Sequence, residues 1–506
     1  MNDSLTKRFS SKLFTNFFSL AISTVITLIV PRALGPIAYG NFMFLNDHFN
    51  KVIGFFGLGT SMSFFTKLSK RKDEIKLFRF YVFFLILILF ASSLSLGAIY
   101  FSNFYEKIYT NITYQFVLLS FIYSFLLFLI GIFRQINDAY GLTVPSEKYF
   151  LYYRILTLAI LLLLYLFKFL SLLIYFVNLI FVSSILLVVW FLVLLKKKIN
   201  PFERKHALSG ITIKKYALEI YQYSHPLFFK GVVVLIVGIS ERWLLQYYGG
   251  SEQQGFYSFS FAVSSIIILF TTSIAPVFTT DFSIAWANQD FPQMRNLFNK
   301  LLPSLVFLTS FLSFFIASNG LELIVLLGGE SYRGAGLSLS IMALYPIHQT
   351  YGQICGAVLY SSGKTKIIRN ISTPFQVLGL VILYFLISST EDGGLGLGAI
   401  GLTYKMIIFQ LIIVNIFLWY CTKLLSLNFF KFLIFQISTI LFFFSISFAL
   451  SFLFKNFSNF ILLNLSIQGV IYLILVALVL YKFPKIINSS QSEIKNFMGS
   501  FLAKIF

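Results

Sequence analysis

Apolar runs of 18 or more residues recur along the whole chain, and each is long enough for a helix to cross the roughly 30 Å of hydrocarbon in a bilayer. A chain built from such runs cannot hide its apolar surface in one globular core. Hydrophobic residues make up 58% of the 506 and charged residues 11%, and the mean hydropathy of +0.85 is far above that of a soluble domain. The expected fold is an all-α integral membrane protein that spans the bilayer many times.

Spans are expected near residues 13–31, 42–64, 80–101, 114–133, 150–167, 171–195, 226–246, 256–280, 301–318, 337–360, 371–388, 397–420, 432–454 and 460–481. The second is the weakest, because it contains Asp47, His48, Asn50 and Lys51. Charge tests whether it crosses. With fourteen spans, the links on one side collect 30 of the 39 Lys and Arg residues and the opposite links collect five, Arg32, Lys107, Lys168, Arg333 and Lys455. Dropping the second span sends the seven basic residues of 196–215 to the other face and destroys that regularity. The positive-inside rule therefore favours about fourteen spans with both termini cytoplasmic. The net charge of +21 is read as this orientation signal and not as a nucleic-acid surface. No cleavable signal sequence is expected, since Pro31-Arg32-Ala33-Leu34-Gly35 follows the first span in place of a small-residue cleavage site. Cys355 and Cys421 show neither CxxC nor Cys/His spacing, so disulfides and structural zinc are not expected.

An internal repeat is suggested by two turns. Arg32-Ala33-Leu34-Gly35-Pro36 leads to Gly40-Asn41-Phe42, and Arg242 through Tyr248-Gly249-Gly250 leads to Gly255-Phe256-Tyr257. Each has a basic residue at a helix end, a glycine turn, and glycine with an aromatic opening the next span. A six-plus-six body follows, as in many transporters: an N-terminal lobe at 1–195, a cytoplasmic link at 196–216, a C-terminal lobe at 217–421, and two further helices with a tail at 422–506.

These turns, with Gly54-Phe55-Phe56-Gly57-Leu58-Gly59, Ser362-Gly363-Lys364-Thr365-Lys366 and Gly396-Leu397-Gly398-Ala399-Ile400-Gly401, resemble the Wzx-type oligosaccharide flippases of the multidrug/oligosaccharidyl-lipid/polysaccharide exporter (MOP) superfamily. The resemblance covers nearly the whole chain. It implies two six-helix, MATE-like lobes around a central cavity, alternating access, an undecaprenyl-diphosphate-linked sugar unit as cargo in a bacterial inner membrane, and surface polysaccharide such as O-antigen as the product. It also implies a lipid-tail groove near spans thirteen and fourteen, membrane lipids as surroundings, and a polysaccharide polymerase and chain-length regulator as partners.

Ionisable groups within hydrocarbon cost at least ~2.5–3.5 kcal/mol each on insertion scales and so mark candidate functional positions. Asp47 and Lys51 are spaced to share one helix face. Span seven holds Lys230 and Glu241-Arg242, with Lys230 and Glu241 close to three turns apart. Span ten offers Tyr345, His348, Gln349, Gln353 and Tyr360, and span twelve offers Lys405 and Gln410. A diphosphate leaving water needs compensating charge and donors. Lys51, Lys230, Arg242 and Lys405, with Arg32 at the outer mouth, are the expected cationic substrate-binding set. Asp47 is expected as the only deep acid for ion coupling, and Glu241, His348, Gln349 and Gln353 as further polar lining. Structural readings compete: Asp47 and Lys51 neutralise each other, Lys230 and the Glu241-Arg242 pair snorkel, His348 packs, and the glycines of span two serve close helix contact.

Other functions fit less well. Ser361-Ser362-Gly363-Lys364-Thr365 resembles the end of a phosphate loop, but Val358 stands where its first glycine belongs. No metal-ligand cluster or activated nucleophile is recognisable, so neither a cofactor nor an enzyme activity is expected. A multidrug or small-solute antiporter of the same superfamily is the alternative, although its acid-rich cavity for cationic drugs contrasts with the excess of buried cations here. A membrane glycosyltransferase or polymerase fits poorly, since the first outer loop, Arg32 to Asn41, holds no acid.

Overall fold

A computed structural model describes residues 4–57, 60–71, 74–203, 208–455 and 457–484, with the side chains of residues 5, 6, 226–230 and 270 also outside the description. In chain order the helices are α1 (Leu5–Phe56), α2 (Thr60–Lys70), α3 (Ile75–Tyr100), α4 (Phe104–Ile108), α5 (Tyr114–Ala139), α6 (Thr143–Leu166), α7 (Leu172–Lys196), α8 (Gly210–Ala287), α9 (Phe291–Ser318), α10 (Gly320–Gly328), α11 (Gly336–Met342), α12 (Tyr345–Ser361), α13 (Thr365–Ile387), α14 (Gly398–Leu424), α15 (Phe429–Phe454) and α16 (Ile461–Lys482). A 3-10 segment, Glu330–Ala335, joins α10 to α11. Ten described helices are long and apolar enough to cross a membrane, or eleven with the bent pair within α8.

The expected count of about fourteen is recovered inside the long helices. A straight helix of the 52 residues of α1 would reach ~78 Å, more than twice the hydrocarbon thickness. Gly35 breaks it at φ 73°, ψ 172°, into the first and second spans. Gly250 breaks the 78-residue α8 in the same way, at φ 70°, ψ −174°, separating the seventh and eighth. Both conformations lie where a side chain is strained and glycine is not. Several expected boundaries change: the fifth span starts at Thr143, the expected span 337–360 is divided between α11 and α12, and two changes fall near the first break. Residues 32–41 form no loop, because a single residue makes the break, and the second span ends at Phe56 with α2 as a separate helix.

The chain divides into two compact units, Met1–Gly255 and Phe256–Phe506. In the first, α1 packs on α5 and α6, and α5 on α7, with Phe44, Leu45, Phe49, Val117 and Phe121 in one buried cluster. In the second, α9, α12 and α14 share a core, and α15 and α16 pack against α9. Phe443 meets Phe307 edge-on with centroids 4.8 Å apart, and the Tyr472 hydroxyl donates to Phe311 O at 3.0 Å. Phe83, Phe90, Phe181 and Phe452 are exposed, as suits a lipid-facing surface. Hydroxyls inside the helices donate to carbonyls one turn back, as Ser92 does to Ile88 and Thr157 to Tyr153, which satisfies them without water.

The repeat extends beyond the two turns. Within the first unit, a Cβ on Gly40 would collide with the Ser251 carbonyl, and a Cβ on Gly255 with that of Pro36. Each glycine therefore lies against the residue that follows the break of the other repeat. Left-handed residues also end helices at matching places, Asn111 and Gly329, Gly141 and Gly363, Lys198 and Ser426.

Candidate functional site

The helix register places Asp47 and Lys51 on one face of the second segment of α1, and Lys51 Nζ donates to Asp47 Oδ2 at 2.6 Å. The same ammonium donates to Gly238 O of α8 at 2.8 Å. The approach is close: a Cβ on Gly238 would lie 3.1 Å from Lys51 Cε, so a larger residue there would push the lysine side chain aside. One turn along α8, Arg242 Nε approaches Asp47 Oδ2 at 3.7 Å. Two helices distant in sequence thus bring two cations onto one carboxylate. The side chains of Asp47 and Lys51 remain 31% and 33% exposed, and that of Arg242 is 11% exposed.

The segment before α5 holds this arrangement. Trp243 Nε1 donates to Lys107 O at 2.9 Å and Gln246 Nε2 to Thr110 O at 3.2 Å, fixing α8 beside it. The hydroxyl of buried Tyr109 pairs with His48 Nε2 at 3.3 Å, fixing α1. Gln254 Nε2 donates to Arg242 O.

Arg32 is exposed, one turn before the Gly35 break, and Glu241 is half-buried beside Arg242. Lys230 lies within α8, but its side chain is outside the described residues. In the second unit, Gln410 Nε2 donates to Gln349 Oε1 at 2.9 Å, and the Tyr345 hydroxyl approaches the same oxygen at 3.3 Å. His348 is buried and half-buried Gln353 is next to buried Ile354. Lys405 is buried, with its ammonium 5.9 Å from the Phe409 ring centroid and its stem against Gly379. Of the span-two glycines, Gly57 faces the Phe128 ring and Gly54 faces open space; Gly59 lies outside the described residues. Cys355 and Cys421 are buried thiols, with Cys421 Sγ 3.4 Å from Cys355 O.

Sequence reasoning missed two groups. α6 begins at Thr143, so Arg154, counted with the preceding link, lies well inside a helix, where it donates to Ser19 O at 3.1 Å and to the Ser23 hydroxyl. Applying the intramembrane-charge rule to that span would have found it. Asp47 is half-buried, and this half holds a more deeply buried acid. Glu147 is fully buried and takes Arg134 Nε at 2.8 Å and Nη2 at 2.7 Å.

A second ionic group joins α2, α3 and the start of α8. Glu219 accepts from Lys67 at 2.9 Å and Arg71 at 2.6 Å, and Tyr216 donates to Glu74 at 2.5 Å. Burial works against the Glu219 carboxylate, but the hydrogen bonds from Arg71 and Lys67 outweigh it and hold its pKa below the ordinary range. A lowered folded pKa stabilises above the unfolded value, about 4.3 for glutamate, and that contribution is lost as pH falls through the folded value. Thermal unfolding followed from neutral pH into acid should show this loss in the wild type, and Glu219→Gln should flatten that part of the profile.

These helices, with their glycine breaks, define a polytopic membrane protein whose fold is that of solved membrane transporters. Solved structures that share it include the lipid II flippase MurJ in an inward closed conformation, at 15% identity over 93% of this chain and 98% of that one with a TM-score of 0.64. An inward-facing multidrug resistance MATE family transporter of the MOP superfamily matches at 12% identity over 84% and 98%, with a TM-score of 0.60. At these identities the likeness is one of fold. Residues 5–280 match the family described as polysaccharide biosynthesis protein, and the chain belongs to that family. The resemblance to Wzx-type flippases is thereby borne out at the level of family and superfamily fold. No curated protein matches the sequence.

Proposed function

We propose that this protein carries an undecaprenyl-diphosphate-linked oligosaccharide repeat unit across a bacterial inner membrane by alternating access, with both termini cytoplasmic and the two six-helix lobes at 1–195 and 217–421. The observation that carries this reading is membership of the polysaccharide biosynthesis family over the stretch that contains Asp47, Lys51 and Arg242. Polysaccharide repeat units are assembled on lipid carriers, and a diphosphate linkage needs cations when it leaves water.

In this mechanism Asp47 holds Lys51 and Arg242 until the cargo arrives. The diphosphate displaces the carboxylate from one or both cations, and a proton or sodium ion on Asp47 compensates the released negative charge. Arg32 takes the headgroup onward, Lys230 and Lys405 add positive potential along the route, and Glu241, His348, Gln349 and Gln353 contribute polar lining. A polymerase and a chain-length regulator would take over the product. The candidate cations Lys51, Lys230, Arg242 and Lys405 outnumber the candidate acids Asp47 and Glu241, which disfavours the multidrug antiporter reading.

The test is transport of a lipid-linked oligosaccharide into proteoliposomes, read by a glycosidase that cannot cross the membrane. Losing one charge-assisted contact should reduce transport about tenfold to a hundredfold in Lys51→Ala. Asp47→Asn should make transport insensitive to whether the ion gradient is collapsed or restored. Full transport by a correctly inserted Lys51→Ala protein would remove the headgroup assignment.

A further inference from the structure

In the second unit, α10, the 3-10 segment and the adjoining ends of α15 and α16 line a half-open cavity of about 290 Å³, near the lower limit for small-ligand sites, about 300–1,000 Å³. Its polar wall includes Glu322, Arg333, Ser451, Lys455, Asn464 and Gln468. None of these belongs to the transport route proposed above.

Two features point to a ligand. Gln468 is 3% exposed and Asn464 7%, and neither Gln468 Oε1 nor Asn464 Oδ1 has a hydrogen-bond partner. The Asn464 amide is fixed in orientation, because its Nδ2 donates to Lys455 O at 3.1 Å and Ser458 O at 2.8 Å. A buried acceptor left unpaired costs about 1–3 kcal/mol, and two in one wall call for a donor. Opposite charges also face this space without joining closely. Lys455 Nζ stands 3.9 Å from Glu322 Oε1, beyond hydrogen-bond length, while Arg333 lies at the rim, paired with exposed Glu330.

We propose that this cavity takes the headgroup of a zwitterionic phospholipid bearing a primary amine. The ammonium supplies N–H donors to Glu322 and to the amide oxygens of Gln468 and Asn464, and the phosphate lies against Lys455 and Arg333. A quaternary ammonium has no N–H to give, and an anionic glycerol headgroup leaves Glu322 facing like charge. The surroundings favour a lipid over a free solute. Phe452, Phe457 and Phe460 are 86%, 63% and 74% exposed at the adjoining helix ends, the depth at which headgroups meet a spanning helix.

Full-length protein stripped of lipid in detergent, then offered phosphatidylethanolamine, phosphatidylcholine and phosphatidylglycerol with identical acyl chains, tests this by native mass spectrometry. Phosphatidylethanolamine should be retained about tenfold or more over either competitor, the worth of one hydrogen bond to a charged group. Glu322→Gln should erase its advantage over phosphatidylglycerol, and Gln468→Leu should reduce it. Equal retention of the three lipids by the wild type overturns the proposal, as does a preference that Glu322→Gln leaves intact or that free phosphoethanolamine abolishes at equal concentration. The wild-type comparison decides alone if a variant fails to fold.

Discussion

Arg134→Ala is expected to destabilise the protein by about 3–5 kcal/mol, the range for removing one partner of a buried ion pair. Glu147 is fully buried, and both of its oxygens accept from the Arg134 guanidinium. That guanidinium also covers the Phe150 ring at 4.7 Å from its centroid and reaches Asn16 at 3.2 Å, so truncation removes packing as well as charge. The carboxylate left behind has no water to turn to. Replacing both partners with apolar residues, Arg134→Met with Glu147→Leu, should recover most of the loss, because no charge then remains unpaired. Thermal unfolding of the purified proteins in detergent measures both, and an Arg134→Ala protein that melts with the wild type would show that the pair contributes nothing.

Gly40→Val and Gly255→Val should each cost about 3 kcal/mol, the upper part of the usual range for overpacking. The obstacle is backbone: Ser251 O opposes the first and Pro36 O the second, and a carbonyl fixed in a helix cannot rotate aside as a flexible side chain can. Gly54→Ala is the control. Nothing lies within 4 Å of a Cβ there, and alanine restores helix propensity worth roughly 0.5–1 kcal/mol. Expression level and melting temperature should therefore fall for the first two variants and hold or rise for the third. If Gly40→Val melts normally, the close crossing of α1 and α8 does not contribute to stability.

Much of the fold was legible because lipid imposes one rule on every span. A run of apolar residues and an imbalance of Lys and Arg carry that rule without reference to partners, so even the polar second span could be placed. What the sequence did not reveal was where helices begin and break. Gly35 and Gly250 were visible as turn residues, but a loop of several residues and a single positive-φ glycine between two helical segments leave nearly the same trace. Asp47 and Lys51 share a face by register alone, whereas Gly238 and Arg242 joined them only once α8 was packed against α1. Arg154 and Glu147 were missed for a related reason. Taking 150 as the start of the fifth span put Glu147 of α6 into a link, and Arg154, although inside the expected span 150–167, was grouped with the basic residues of that link; a loop charge invites no question about its partner. The cavity around Gln468 was likewise invisible, since residues from α10, the 3-10 segment, α15 and α16 meet there only in three dimensions.

The one-residue breaks at Gly35 and Gly250 also govern how this protein can be handled. An epitope tag, a protease site or a labelling cysteine needs slack chain to project from the surface, and at these two ends helical backbone runs up to the glycine from both sides. An insertion there would shift the register of Gly40 or Gly255 against its opposing carbonyl. Reporter insertions for mapping orientation belong instead in the non-helical stretch after α13, around Glu391–Gly394, and in the link after α7 near Asn200, where the chain lies outside the helices. Silence from a tag placed beside Gly35 or Gly250 would report a misfolded protein and say nothing about which side of the membrane that glycine faces.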